Sequence, residues 1–207
     1  MSRRSKSSGR WLREHFDDPF VRRAQQEGWR SRAAYKLEEL DRAERLISPG
    51  AVIVDLGASP GGWSQYAARA LGGHGTVFAL DLLPMDEVPG VTCLQGDFRE
   101  QAVLDALLTQ LHGRRADLVM SDMAPNMSGV GVVDQARAAE LESLALEFSR
   151  RVLAPAGALV MKLFQGAGFQ EVLATARRHF EEVRIRKPKA SRQRSSEAYL
   201  VARKPRS

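Results

Sequence analysis

"VDLGASPGGWSQY", residues 54–66, places three glycines and a proline directly after a short apolar run. Glycine costs conformational entropy, so it is kept where the backbone must turn sharply or lie close to a ligand. Residues 51–56 on the left predict a buried strand, and residues 64–71 on the right predict a helix. A strand, a glycine turn and a helix N-terminus in succession make a nucleotide-type pocket.

Working outward, strand and helix patterns alternate. Strands are predicted at 51–56, 76–81, 91–95, 117–121, 158–164, 182–187 and 197–202. Helices are predicted at 64–71, 99–112, 134–153 and 169–179. An amphipathic helix at 31–47, with Ser31 as its expected N-cap, precedes the first strand. This order predicts an α/β fold: a mostly parallel, doubly wound seven-stranded sheet with helices on both faces. The last two strands follow one another without a helix between them, so they are expected as an antiparallel edge pair. The 207 residues suit one domain, residues 31–207, behind a basic N-terminal extension, residues 1–30.

Composition narrows the function classes. The single cysteine, Cys93, excludes a disulfide framework and is expected as a buried strand residue. The four histidines are scattered without metal-ligand spacing, so no metal is expected. No apolar run approaches the roughly 18 residues of a membrane span, and no secretory signal is apparent; a cytoplasmic monomer is expected.

The net charge of +6 hides a segregation. Residues 1–36 carry ten Lys/Arg against four Asp/Glu, residues 184–207 nine against one, and the middle twelve against twenty. If the two basic ends meet in space, they form one surface suited to a polyanion; otherwise they are solubilising tails. Arg3, Arg4, Arg192 and Arg194 are the test residues.

The polar residues at the strand ends describe the pocket. Asp55 and the turn at Gly57 follow the first strand, Asp81 ends the second, Asp97 follows the third, and Asp122 ends the fourth. Lys162 lies on the fifth. An aspartate often ends a strand for turn reasons alone, and Asp97 carries that reading equally. Asp81 stands 26 residues after Asp55, near the spacing at which an acid meets ribose hydroxyls. The glycine loop fits neither G-x-G-x-x-G nor G-x-x-x-x-G-K-[ST], and an acidic rim repels a pyrophosphate. Carboxylates suit a cation, and S-adenosylmethionine carries a sulfonium and an ammonium. Trp63 reads either as a core residue or as a wall of the pocket.

"DLGASPGGWSQYA", "GDF", "SDMAPNMSG", "MKLFQG" and "SSEAYLVA", in this order and with "SRAAYKLEELD" before them, resemble the FtsJ/RrmJ family of ribose 2′-O-methyltransferases over essentially the whole chain. Within it, the chain is most similar to the bacterial enzymes that methylate a uridine ribose in large-subunit (23S) ribosomal RNA. The resemblance implies a Rossmann-like methyltransferase sheet, S-adenosylmethionine as cofactor, and ribosomal RNA or the assembled large subunit as partner. It implies a catalytic tetrad of Lys36, Asp122, Lys162 and Glu197, and cofactor contacts from Gly61, Trp63, Asp81, Asp97 and Asp122. The pocket reading adds Asp55 and Gly57.

The ribose hydroxyl is a poor nucleophile while protonated, so the site must position it and accept its proton. Lys162 is the expected base. If the proton leaves late, Lys162 acts instead by stabilising the developing oxyanion. Transfer RNA as substrate, or a non-catalytic RNA-binding assembly factor, are the alternatives.

Overall fold

The computed structural model describes residues 18–206, leaving out 126, 127, 130, 167, 193 and 194. Arg3, Arg4 and Arg194 therefore lie outside the described residues. The elements run α1 (Pro19–Gln26), α2 (Ala33–Glu44), β1 (Val52–Leu56), α3 (Gly62–Leu71), β2 (Thr76–Asp81), β3 (Val91–Gln95) and α4 (Gln101–Gln110). They continue with β4 (Ala116–Ser121), α5 (Gly131–Val152), β5 (Leu153–Phe164), α6 (Phe169–His179), β6 (Phe180–Arg186) and β7 (Glu197–Pro205).

Among the described residues the strands form one seven-stranded sheet in the order β3-β2-β1-β4-β5-β7-β6. β1 to β5 pair in parallel, and β7 runs antiparallel between β5 and β6. Strand order reverses between β1 and β4, which opens a crevice beyond their carboxyl ends.

Successive strand residues point to opposite faces, and the core divides accordingly. Ile53, Met120, Val160 and Tyr199 pack with Leu37 and Leu40 of α2 and Trp63 of α3. Val54, Val119, Met161 and Leu200 pack on the other face with Leu107 of α4, Phe148 of α5 and Leu173 of α6. Leu37 is wholly buried; cutting such a residue to alanine costs about 2–5 kcal/mol.

Two turns hold the crevice open. Gly57 follows β1 at φ 74°, and a Cβ there would lie 2.4 Å from the Met123 side chain, so only glycine lets the loops after β1 and β4 approach. Gly61, at φ 101°, starts α3 in a left-handed conformation.

Several expectations are corrected. Within the N-terminal extension, residues 19–26 form α1. Asp18 caps α1 by accepting from the Phe20 N–H at 3.0 Å, and Pro19 opens the helix. Ala24 packs with Tyr35 and Ala190, and Arg69 lies 4.3 Å from the centre of the Trp29 ring. Ser31 does not cap α2; the helix starts after Arg32, and the Ser31 hydroxyl has no partner. Cys93 is exposed, because β3 is an edge strand whose outer side has no neighbour. β5 starts at Leu153 rather than 158, with its ladder to β4 irregular between Ala116 and Leu118.

The described parts of the two basic ends do meet. Arg32 and Arg192 share the carboxylate of Asp18, and Arg184 and Arg186 share that of Glu44. Glu39 accepts from the backbone of Lys189 and Ala190. In the first cluster one anion faces two guanidiniums, which leaves net positive charge; in the second Arg184 also pairs with Glu182, so the charges balance.

Candidate active site

Strand register assembles the site. Ser121 of β4 lies opposite Met161 of β5, which brings Asp122 beside Lys162. Lys162 lies opposite Tyr199 of β7, and Phe164 opposite Glu197. Lys162, Tyr199 and Glu197 thus share the sheet face that α2 covers, and α2 lowers Lys36 onto them.

The result is one continuous chain of polar contacts. Glu197 pairs with the Lys36 ammonium at 2.9 Å. Lys36 donates to the Tyr199 hydroxyl at 3.0 Å, and that hydroxyl donates to Asp122 at 2.8 Å. Asp122 pairs with Lys162 through its carboxylate at 2.9 Å, and its backbone carbonyl accepts from the same ammonium at 2.7 Å. Both of these Lys162 contacts go to Asp122. Both lysines are 9% exposed, so each ion pair sits largely out of water.

Burial would raise the Asp122 carboxyl, but Lys162 and Lys36, with the hydrogen bonds from Lys162 and Tyr199, outweigh it and hold the carboxyl low. Burial and the neighbouring negative charges of Asp122 and Glu197 keep the Tyr199 phenol well above its usual value. Tyr199 is therefore a fixed neutral link between two charged pairs.

Two adjoining cavities of about 580 Å³ each meet at this chain. Lys36, Asp55, Trp63, Asp122 and Glu197 line the first. Asp81, Asp97, Phe98, Met123 and Leu141 line the second. Gly57, Ser59 and Asp122 border both. Lys162 borders neither and stands one hydrogen bond behind Asp122.

The cofactor candidates divide. Asp55 is wholly buried; one carboxylate oxygen accepts from Ser64 at 2.6 Å and the other has no partner. Burial lifts this carboxyl to about 7, against the Ser64 hydrogen bond and with the added repulsion of Asp122 and Asp81. Asp81 accepts from the backbone of Ser59 at 2.8 Å and Leu83 at 2.7 Å, which fixes it at the mouth of the second cavity. Asp97 is held by Arg99, side chain and backbone N–H alike, so its turn role is present alongside its place on the cavity. Trp63 is both core and wall: 2% exposed, bonded to the Ala33 carbonyl at 2.8 Å, and part of the first cavity. Gly61 borders neither cavity; the first cavity's lining includes Pro60 and Gly62, and a Cβ at Gly61 would meet the side chains of Met85, Arg30 and Val88.

The residues fit a cationic, nucleoside-bearing cofactor. Asp55, with its unpartnered oxygen, borders the first cavity, Asp122 borders both, and acids lie beside apolar side chains in the second. Among the described residues no group of His, Cys, Asp or Glu is arranged to hold a metal ion. Sequence reading missed Tyr199 as the link and Ser64 as the Asp55 partner. The two-residue spacing from Glu197 to Tyr199 was the available signal, since such residues share a face of a strand.

A family model described as FtsJ-like methyltransferase matches residues 29–205. Ribosomal RNA large subunit methyltransferase E of Legionella pneumophila (strain Lens) is 54% identical over 200 residues, covering 97% of this chain and 97% of that protein. A crystal structure titled as a ribosomal RNA methyltransferase from Plasmodium falciparum superposes with a TM-score of 0.76 at 27% identity, covering 86% of this chain and 98% of that one. A structure titled as an rRNA-methylase from Clostridium thermocellum does so with a TM-score of 0.57 at 15% identity, covering 82% and 97%. At that identity the likeness concerns the fold alone.

Proposed function

The chain belongs to the FtsJ-like methyltransferase family, and from that premise we propose that it methylates the ribose 2′-hydroxyl of a uridine in large-subunit ribosomal RNA, with S-adenosylmethionine as donor. The relative from Legionella pneumophila bears a large-subunit ribosomal RNA methyltransferase name, which supports the substrate. The observation that carries the reading is the unbroken chain from Glu197 through Lys36, Tyr199 and Asp122 to Lys162, lying where the two cavities meet.

S-adenosylmethionine, when bound, supplies an electrophilic methyl group on a sulfonium. Asp81 and Asp97 would hold its nucleoside end in the second cavity. Asp55 and Asp122 would face its positive charges. Gly57 borders both cavities and Trp63 walls the first.

The remaining work is done by the tetrad. Lys36, anchored on Glu197, lines the first cavity and orients the ribose hydroxyl. Lys162, beside Asp122, either takes the hydroxyl proton as a neutral amine or, as the ammonium, stabilises the oxygen as it becomes anionic. Tyr199 holds the two lysine pairs at a fixed separation. The substrate is bound as a polyanion on the side where the basic ends meet. Among the described residues no helix is long and apolar enough to cross a membrane, and we place the reaction in the cytoplasm, on the large subunit, by a monomer.

Transfer of a tritiated methyl group, measured side by side on large-subunit RNA, intact large subunits and transfer RNA, tests the reading. Labelled 2′-O-methyluridine in the large-subunit arms is the expected result. Label only in transfer RNA, or none in any arm, overturns it.

A further inference from the structure

We propose that Arg32 and Arg192 form a clamp for one backbone phosphate of the RNA at the mouth of the first cavity, beside the nucleotide being methylated. The proposal rests on the RNA reading above and names a substrate contact within it.

Both arginines line the cavity that contains Lys36, Asp122 and Glu197. Among the described residues the carboxylate within ion-pair distance of both is Asp18, whose oxygen takes Arg32 and, at 3.4 Å, Arg192; Glu197 attracts Arg32 only at longer range. The neighbouring lysines offer no spare anion, because Lys36 is committed to Glu197 and Lys162 to Asp122. Two guanidiniums against one carboxylate leave an uncompensated positive charge in a spot where the Asp18 side chain is only 8% exposed and that of Arg32 15%. Burial pulls Arg32 below the ordinary guanidinium value; Asp18 opposes this and the like charge of Arg192 adds to it.

Hydrogen bonding is unfilled in the same corner. Arg32 Nε and the hydroxyls of Ser31 and Ser191 are buried and have no partner. Buried polar groups are almost always satisfied, so three orphans together point to a missing acceptor. A phosphate brings the charge and several acceptor oxygens at once, and guanidinium is the side chain best matched to it.

The corner is also rigid. Arg32 is held on the Ala190 carbonyl as well as on Asp18 and lies 5.6 Å from the centre of the Phe20 ring. The segment carrying Arg192 is fixed by Glu39 on the Lys189 and Ala190 N–H groups, and by Lys187 on the Ser195 carbonyl at 2.6 Å. Arg192, 30% exposed, stands at the open side, where a polymer passes.

Arg32 carries several contacts of the fold, so Arg192 is the site to change. Binding of the full chain to a fluorescent large-subunit RNA fragment is measured by anisotropy over a range of salt. Arg192→Gln is expected to bind at least about threefold more weakly at low salt and to lower the slope of log affinity against log salt by about 1, the value for one phosphate contact. Arg192→Lys should recover most of that slope, and both variants should bind S-adenosylmethionine like the parent in calorimetry. An unchanged slope in Arg192→Gln overturns the clamp. Weaker S-adenosylmethionine binding overturns it too, since the anion held there would then be the donor's carboxylate. Methyl transfer by the parent to the same RNA is scored separately: its absence removes the proposed function, while the slope still decides the clamp.

Discussion

Tyr199 stands opposite Lys162 in the β5–β7 ladder and donates its hydroxyl to Asp122 at 2.8 Å, while accepting from Lys36 at 3.0 Å. One neutral oxygen thus joins two ion pairs that come from four separate elements. The sheet register sets the positions of three of them, and the phenol ties in the helix that carries the fourth.

Tyr199→Phe should keep the ring packed against Trp63, 5.7 Å away between centroids, and lose only the link. Hydrogen bonds to charged groups contribute about 1.5–3 kcal/mol. The expected outcome is a loss of stability in that range and a fall in kcat of roughly tenfold, with the KM for RNA and the affinity for S-adenosylmethionine near their original values. Steady-state kinetics with a urea melt check this; an unchanged kcat would make the phenol a packing residue.

Asp81→Ala should weaken S-adenosylmethionine binding by at least about 1.5–3 kcal/mol, the range for a charged hydrogen bond. Asp81 already fixes the loop through Ser59 and Leu83, so Asp81→Asn, which retains one acceptor, should lose less. Calorimetry giving the parent affinity for the alanine variant would remove Asp81 from the cofactor site.

Two buried carboxyls set the pH response of stability. Burial lifts Asp55 to about 7, opposed by Ser64, and lifts Glu142 to about 7, opposed by the Phe164 N–H. A carboxyl whose folded value exceeds the unfolded one of about 4 binds its proton more tightly when folded. Its contribution is therefore complete below about pH 4 and is lost as pH rises through 7. His179, pulled down by burial and by Arg150, works in the opposite sense near the same range, so single-site variants carry the test. Melting temperatures of Asp55→Asn and Glu142→Gln between pH 5 and pH 8 should each fall less steeply than the parent's. Added S-adenosylmethionine should flatten the parent's Asp55 component and leave that of Glu142. Parallel curves for all three proteins would count against both carboxyls.

Much of this was legible from local pattern. The alternation of strands and helices gave the sheet, and the acids after consecutive strands gave the rim. The tetrad came through short motifs whose lysines and acids converge by register. What escaped was non-local. Cys93 has the neighbours of a buried strand residue, but nothing in "VTCLQ" says that β3 is an edge. Residues 19–26 read as part of a basic tail, because the partners that order them, Tyr35 and Ala190, lie in other segments. The "LAPAG" start of β5 carries residues that locally signal a turn, and only its pairing with β4 extends it as a strand.

The most direct measurement is single-turnover methyl transfer to large-subunit RNA at saturating RNA and S-adenosylmethionine by Lys162→Ala and Lys162→Arg. General-base catalysis typically contributes about 10²–10⁴-fold. The alanine variant should keep its fold and cofactor affinity and be at least about a hundredfold slower. Arginine keeps the charge beside Asp122 but cannot accept a proton, so it should be nearly as slow. A rate for Lys162→Arg close to the parent's would contradict the base role and leave electrostatic stabilisation in its place. A rate for Lys162→Ala within about tenfold of the parent's, below the typical range for such catalysis, would contradict a catalytic role for Lys162 altogether.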